Sequence, residues 1–148
     1  MDQALIGAEL WSADDCFGDV LKDYRAKYVR SLPHTCSFAW EGLNVYLAHG
    51  APWSDTDHVF PNVSEKTCRR IFATTGADIV VLGHTHIPMR LQFHDKWILN
   101  PGALCGNRQD LKQTCGILEL PQAEFELFDT DTNQPVELET VIILEGDL

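Results

Sequence analysis

The sequence predicts an α/β fold, a layered sandwich around a mixed sheet, and three observations lead there. Residues 78–82, Asp-Ile-Val-Val-Leu, carry an unbroken apolar run after the aspartate and are bounded by turn residues, the pattern of a strand buried on both faces. Two stretches carry helix signals, and the C-terminal half reads as strand after strand with few helices. At 148 residues the chain has the length of one domain, so residues 1–148 are read as a single unit.

The first helix is expected over residues 12–31. Ser12 is an N-cap, Asp14 and Asp15 favour the positive end of the helix dipole, and Pro33 restricts the residue before it. Residues 37–40 and 43–48 follow as β-prone runs joined by Glu41-Gly42, a two-residue connection suited to a tight hairpin. From 51 to 62 the chain holds Pro52, Pro61 and several Asp and Ser, which predicts a long loop, and loops of that length in compact domains are often functional. Ser64 caps a second helix over 65–75, closed by Gly76 at a left-handed C-cap. Residues 89–93 and 97–99 predict a hairpin turning at His94-Asp95-Lys96, and further strands are expected at 114–120, 124–128 and 136–144.

A net charge of −11 opposes broad contact with nucleic acid, which works by replacing phosphate counterions with Lys and Arg. No apolar run approaches the roughly 18 residues of a membrane helix. The five cysteines, Cys16, Cys36, Cys68, Cys105 and Cys115, are odd in number and widely spaced, which suits free thiols in a reducing cytoplasm.

Candidate chemistry gathers at strand ends. Gly83-His84-Thr85-His86 follows the buried strand directly, so two imidazoles share a short loop, and neutral imidazole is a good ligand for Zn, Mn, Fe, Co or Ni. His49-Gly50 ends another apolar strand, and ligand crevices of open α/β sheets form outside the carboxyl ends of strands. Asn100-Pro101-Gly102 is a third strand-end turn, and Arg108 beyond it is a candidate fork of donors for phosphate.

In order along the chain, Val45 to Gly50, Ala77 to Pro88 with its GHTH core, and Asn100-Pro101-Gly102-Ala103 resemble the calcineurin-like metallophosphoesterases, especially small bacterial and archaeal phosphodiesterase-type members. The resemblance spans residues 32–120 and implies the C-terminal portion of that family's αββα fold. It implies His49 and His84 as ligands of one divalent ion and His86 of its neighbour, with Asn100, Gly102 and Arg108 lining the substrate loop. The implied cofactors are two divalent ions among Mn, Zn, Fe and Ni. The implied reaction is hydrolysis of a phosphate mono- or diester, in a small molecule or nucleotide, by hydroxide generated between those ions.

The family's DxH, GD and GNH[DE] motifs are not found upstream. Met1 to Gly7 resembles the continuation of a GN-x-D motif, so the expectation is a chain that begins partway through it and is inactive alone. An exposed sheet edge would then invite a homo-oligomer. Two other readings remain open. One is a degenerate protein-binding scaffold like the retromer subunit of this fold, using Trp53, Phe60 and Trp97. The other is a mononuclear three-histidine zinc site.

Overall fold

The computed structural model describes residues 27–28, 31–104, 112–144 and 146. Of the first predicted helix only Lys27, Tyr28 and Ser31 are described, and all three are helical, whereas Cys16, Cys105 and Arg108 lie outside the described residues. By internal contacts the chain divides into two units, Met1–His34 and Thr35–Leu148, and the second carries every element below.

Strands β1 (Thr35–Trp40) and β2 (Leu43–Ala48) form the expected hairpin. Glu41 and Gly42 both take positive φ, 48° and 82°, the condition for a two-residue turn whose twist matches its strands. Helix α1 runs Glu65–Thr75, with the Ser64 side chain accepting from the Thr67 amide, and Gly76 closing it in the left-handed region at φ 63°. Cys68, Ile71 and Phe72 form its buried stripe.

Five further strands follow in order: β3 (Ile79–Val81), β4 (Met89–Phe93), β5 (Lys96–Asn100), β6 (Thr114–Glu119) and β7 (Glu124–Asp129). The β4–β5 turn is one residue tighter than expected, because His94 adopts φ 58° and Lys96 already pairs with Phe93. The strand predicted at 136–144 divides in two, β8 (Pro135–Val136) and β9 (Val141–Ile143). The cause is that the two pieces serve different sheets: β8 pairs with β7, whereas β9 pairs with β4.

The larger sheet has the order β1-β2-β3-β5-β4-β9 and the smaller β6-β7-β8. Strands β2, β3 and β5 are parallel neighbours, as are β4 and β9, and the β1–β2 and β4–β5 pairs are antiparallel, so the sheet is mixed as predicted. Alternation along the central strands builds two cores. Val80, Leu91 and Ile98 join Ile71 and Phe72 of α1 on one face. Val45, Ile79 and Leu99 join Phe125 and Leu127 of the smaller sheet on the other. Arg90 ties the layers, donating from Nη1 to the Phe125 carbonyl (3.1 Å) and from Nη2 to the Leu138 carbonyl (2.7 Å).

Asp78 sets the register of the parallel strands at their starting ends. From its place just before β3, its Oδ2 accepts from the Asn44 amide near the start of β2 (2.8 Å), its Oδ1 accepts from Lys96 Nζ at the start of β5 (3.2 Å), and its carbonyl accepts from the Trp97 amide. The Asn44 amide first, and Lys96 after it, hold the Asp78 carboxyl below its ordinary value of 3.8. A depressed carboxyl binds its proton later in the folded state than in the unfolded one, so its contribution is complete above about pH 4 and is lost as pH falls through the folded value. Asp78→Asn is therefore expected to lower stability at pH 6 by about 1–2 kcal/mol, as for loss of a charge-assisted hydrogen bond. Urea denaturation at pH 6 and pH 3 checks this, and the deficit of the variant should shrink at the lower pH.

Candidate functional site

Parallel pairing carries the candidate residues to one end of the sheet. Leu47 pairs with Val81, and the register continues past the strands as the Gly83 amide donates to the His49 carbonyl at 2.9 Å. A Cβ at position 83 would lie 3.3 Å from that oxygen, which accounts for glycine there. The next residue, His84, turns into the left-handed region at φ 65°, and His86 does so again at φ 59°. Left-handed backbone costs a non-glycine residue of order 1–3 kcal/mol and persists where surrounding structure imposes it. Two such residues in one four-residue turn are the local sign of a functional loop.

The turn brings His49 Nε2 to 3.0 Å from His84 Nδ1, with ring centroids 4.9 Å apart. His84 Nε2 lies 3.2 Å from the Thr56 carbonyl, which can only accept, so Nε2 carries the proton and Nδ1 holds the lone pair. Desolvation by the surrounding protein lowers the pKa of His49, although the residue keeps an open face to solvent; His84 adds to the effect and Asp55 opposes it. Desolvation also lowers His84, followed by the neighbouring His58, with the Thr56 carbonyl acting in the opposite sense. A charge on His86 would depress both, which puts its ring within electrostatic reach of the pair.

The geometry suits a divalent ion at the pair. Two cis nitrogens each about 2.0–2.1 Å from one ion stand roughly 2.9–3.4 Å apart. The 3.0 Å between Nε2 of His49 and Nδ1 of His84 falls in that span. A ligating histidine also characteristically donates its other N–H to a carbonyl, which is what Thr56 receives from His84. Among the described residues no group of three or more His, Cys, Asp and Glu forms a cage.

Asn100 stands behind this loop. It is fully buried, and its Nδ2 donates to the Gly83 carbonyl (2.9 Å) and to Thr85 Oγ1 (3.1 Å), while its Oδ1 accepts from the Gly102 amide. Every polar atom of its amide is thus spent on the backbone and side chains of the two turns. Gly102 takes φ 80°, and a Cβ there would run into Thr114 Oγ1 and Pro88.

Sequence reasoning did not single out His58. Its ring lies 4.0 Å from that of His84, and it sits in the long loop whose length alone marked it. That loop is well anchored. The Ala51 amide donates to Asp57 O, Trp53 Nε1 donates to Asp57 Oδ2, and the Arg70 guanidinium of α1 lies 3.7 Å over the Trp53 ring. Trp53 and Trp97 each pack against a core cluster, so only Phe60 of the three aromatics proposed for a scaffold surface is exposed.

The calcineurin-like phosphoesterase superfamily domain matches residues 8–123. A probable metallophosphoesterase of Methanothermobacter thermautotrophicus is 32% identical over 71 residues, covering 48% of this chain and 37% of the relative. Three solved structures share the fold at low identity. A hypothetical protein of Pyrococcus horikoshii OT3 aligns at TM-score 0.60 and 14% identity over 70% of this chain and 42% of its own. A metallophosphoesterase of Sphaerobacter thermophilus aligns at 0.52 and 17%, over 80% and 53%. Vacuolar Protein Sorting 29 of Cryptosporidium parvum aligns at 0.53 and 20%, over 70% and 54%. The chain therefore spans between about a third and just over half of each of these relatives. With the family domain matched over most of its length, the chain belongs to the calcineurin-like phosphoesterase superfamily.

Proposed function

We propose that this chain supplies the histidine half of a divalent-metal phosphoesterase centre, with His49 and His84 ligating one ion and His86 its neighbour. The observation that carries the reading is the 3.0 Å approach of two imidazoles from separate parallel strands, one with its tautomer fixed by the Thr56 carbonyl. Divalent ions, when bound, supply Lewis acidity to phosphoryl oxygens and acidify water, with no protein nucleophile required. His49 and His84 meet them as neutral ligands at pH 7, since both are held below the ordinary imidazole value by desolvation. Asn100 acts as a positioning residue, locking the turn that aims His84. Gly102 and Arg108 are assigned to the loop that receives the phosphoester, a small molecule or nucleotide.

A phosphoesterase centre also needs oxygen donors, and the described residues contain no closed ligand cage. The chain by itself is expected to bind Mn or Zn weakly and to turn over bis(4-nitrophenyl) phosphate little above background. Equilibrium dialysis with each metal, with hydrolysis measured beside it, tests the reading. Strong hydrolysis that survives the double variant His84→Ala, His86→Ala would contradict it.

A second reading, a protein-binding scaffold, is favoured by one feature. Strand β1 is uncharged and exposed along its whole length, with Phe38 45% and Trp40 61% accessible among the described residues. Metal titration bears on the choice, because binding of neither Mn nor Zn would favour the scaffold.

A further inference from the structure

The long loop adds an aromatic feature to the candidate centre. Val59 is buried at 4%, and its neighbours His58 and Phe60 both face outward. Their rings are parallel within 3°, with centroids 5.4 Å apart. His58 lies 4.0 Å from His84, which in turn lies 4.9 Å from His49. Four rings thus run in sequence from the paired imidazoles to Phe60, which remains 45% exposed at the outer end. A large apolar ring left open beside a polar cluster has no counterpart elsewhere in this loop, where Trp53 is folded onto the core and covered by Arg70.

We propose that Phe60, backed by His58, is a specificity-determining shelf that stacks a planar aromatic ring carried by the phosphoester substrate. This rests on the metal-phosphoester reading of His49 and His84. Only the His58 ring separates Phe60 from His84 in this series, so an ester held at the centre and long enough to pass His58 would set its ring on Phe60. Stacking on an aromatic face is tolerant of the ring's identity, because every base or aryl group presents a π-face. Backing by His58 holds Phe60 in place and reduces the ordering cost of each binding event.

The test uses the full chain with saturating Mn and three probes: adenosine 5′-monophosphate, 4-nitrophenyl phosphate and ribose 5-phosphate. Calorimetry on the original chain should show about 5- to 10-fold tighter binding for at least one ring-bearing probe than for ribose 5-phosphate, toward the low end of stacking contributions. A gain by adenosine 5′-monophosphate identifies a nucleobase ester, and a gain confined to 4-nitrophenyl phosphate identifies an aryl ester. Phe60→Ala should erase the gain and leave ribose 5-phosphate unchanged, and Phe60→Trp should keep it. Equal binding of all three probes to the original chain, or an equal weakening of all three by Phe60→Ala, would overturn the shelf and leave the metal centre standing. Binding of no probe while Mn is bound would remove the phosphoester reading and the shelf with it.

Discussion

Gly102→Ala is expected to destabilise the second unit by about 3–5 kcal/mol, summing left-handed strain and overpacking. The backbone there has φ 80°, a conformation that costs an L side chain energy wherever it occurs. The added methyl would also stand 2.1 Å from Thr114 Oγ1 and 3.0 Å from Pro88 Cγ. Neither neighbour yields easily. Thr114 Oγ1 is held to the Pro101 carbonyl at 2.7 Å, its amide is held to Ala103, and Pro88 is a rigid ring next to the histidine turn. The damage would spread to Asn100, whose Oδ1 accepts from the Gly102 amide while its Nδ2 holds Gly83. Urea or thermal denaturation measures the loss, and a change below about 1 kcal/mol would mean that this turn does not brace the centre.

His84→Ala is expected to lower Mn or Zn affinity by at least about 100-fold, beyond the 10–100-fold typical of losing an outer-shell partner. The effect on stability should be much smaller. The side chain is half-buried, its removal frees His49 to meet water, and alanine still carries the cost of the left-handed backbone. A comparison with Asn100→Ala separates ligand from support. Asn100 has no exposed surface and braces two turns, so its loss should reduce stability by about 2–3 kcal/mol, as for buried groups left unpaired, and affinity only through the loop. Isothermal titration beside denaturation distinguishes the two patterns, and equal affinities for the original chain and His84→Ala would remove His84 as a ligand.

Much of this architecture was legible because the governing signals are local. Glu41-Gly42 suited a tight turn, Ser64 and Gly76 bounded α1, and the apolar run before Gly83 had the form of a buried strand, which the structure confines to Ile79–Val81. The grouping of His49 with His84 was also readable, since both follow strands whose carboxyl ends share one edge of a parallel sheet. What escaped depends on tertiary pairing. Nothing in residues 136–144 announces that Val136 belongs to one sheet and Val141 to the other, because the division is set by where β7 and β4 lie. The same holds for β5, which sits between β3 and β4 although it follows both in sequence. His58 was missed because a single histidine in a Pro- and Asp-rich loop has no periodicity to mark it. Its place beside His84 follows from the loop folding back over Gly50, where a Cβ would meet the Ser54 and Asp55 carbonyls at 2.6 Å.

Anomalous diffraction from crystals of the chain grown with Mn, recorded on both sides of the metal's absorption edge, tests the metal centre most directly. The expected map has an ion bonded to both His49 Nε2 and His84 Nδ1, with Thr56 still accepting from the far nitrogen of His84. Ions found only at other carboxylates, with the two imidazoles still hydrogen-bonded to each other, would contradict it.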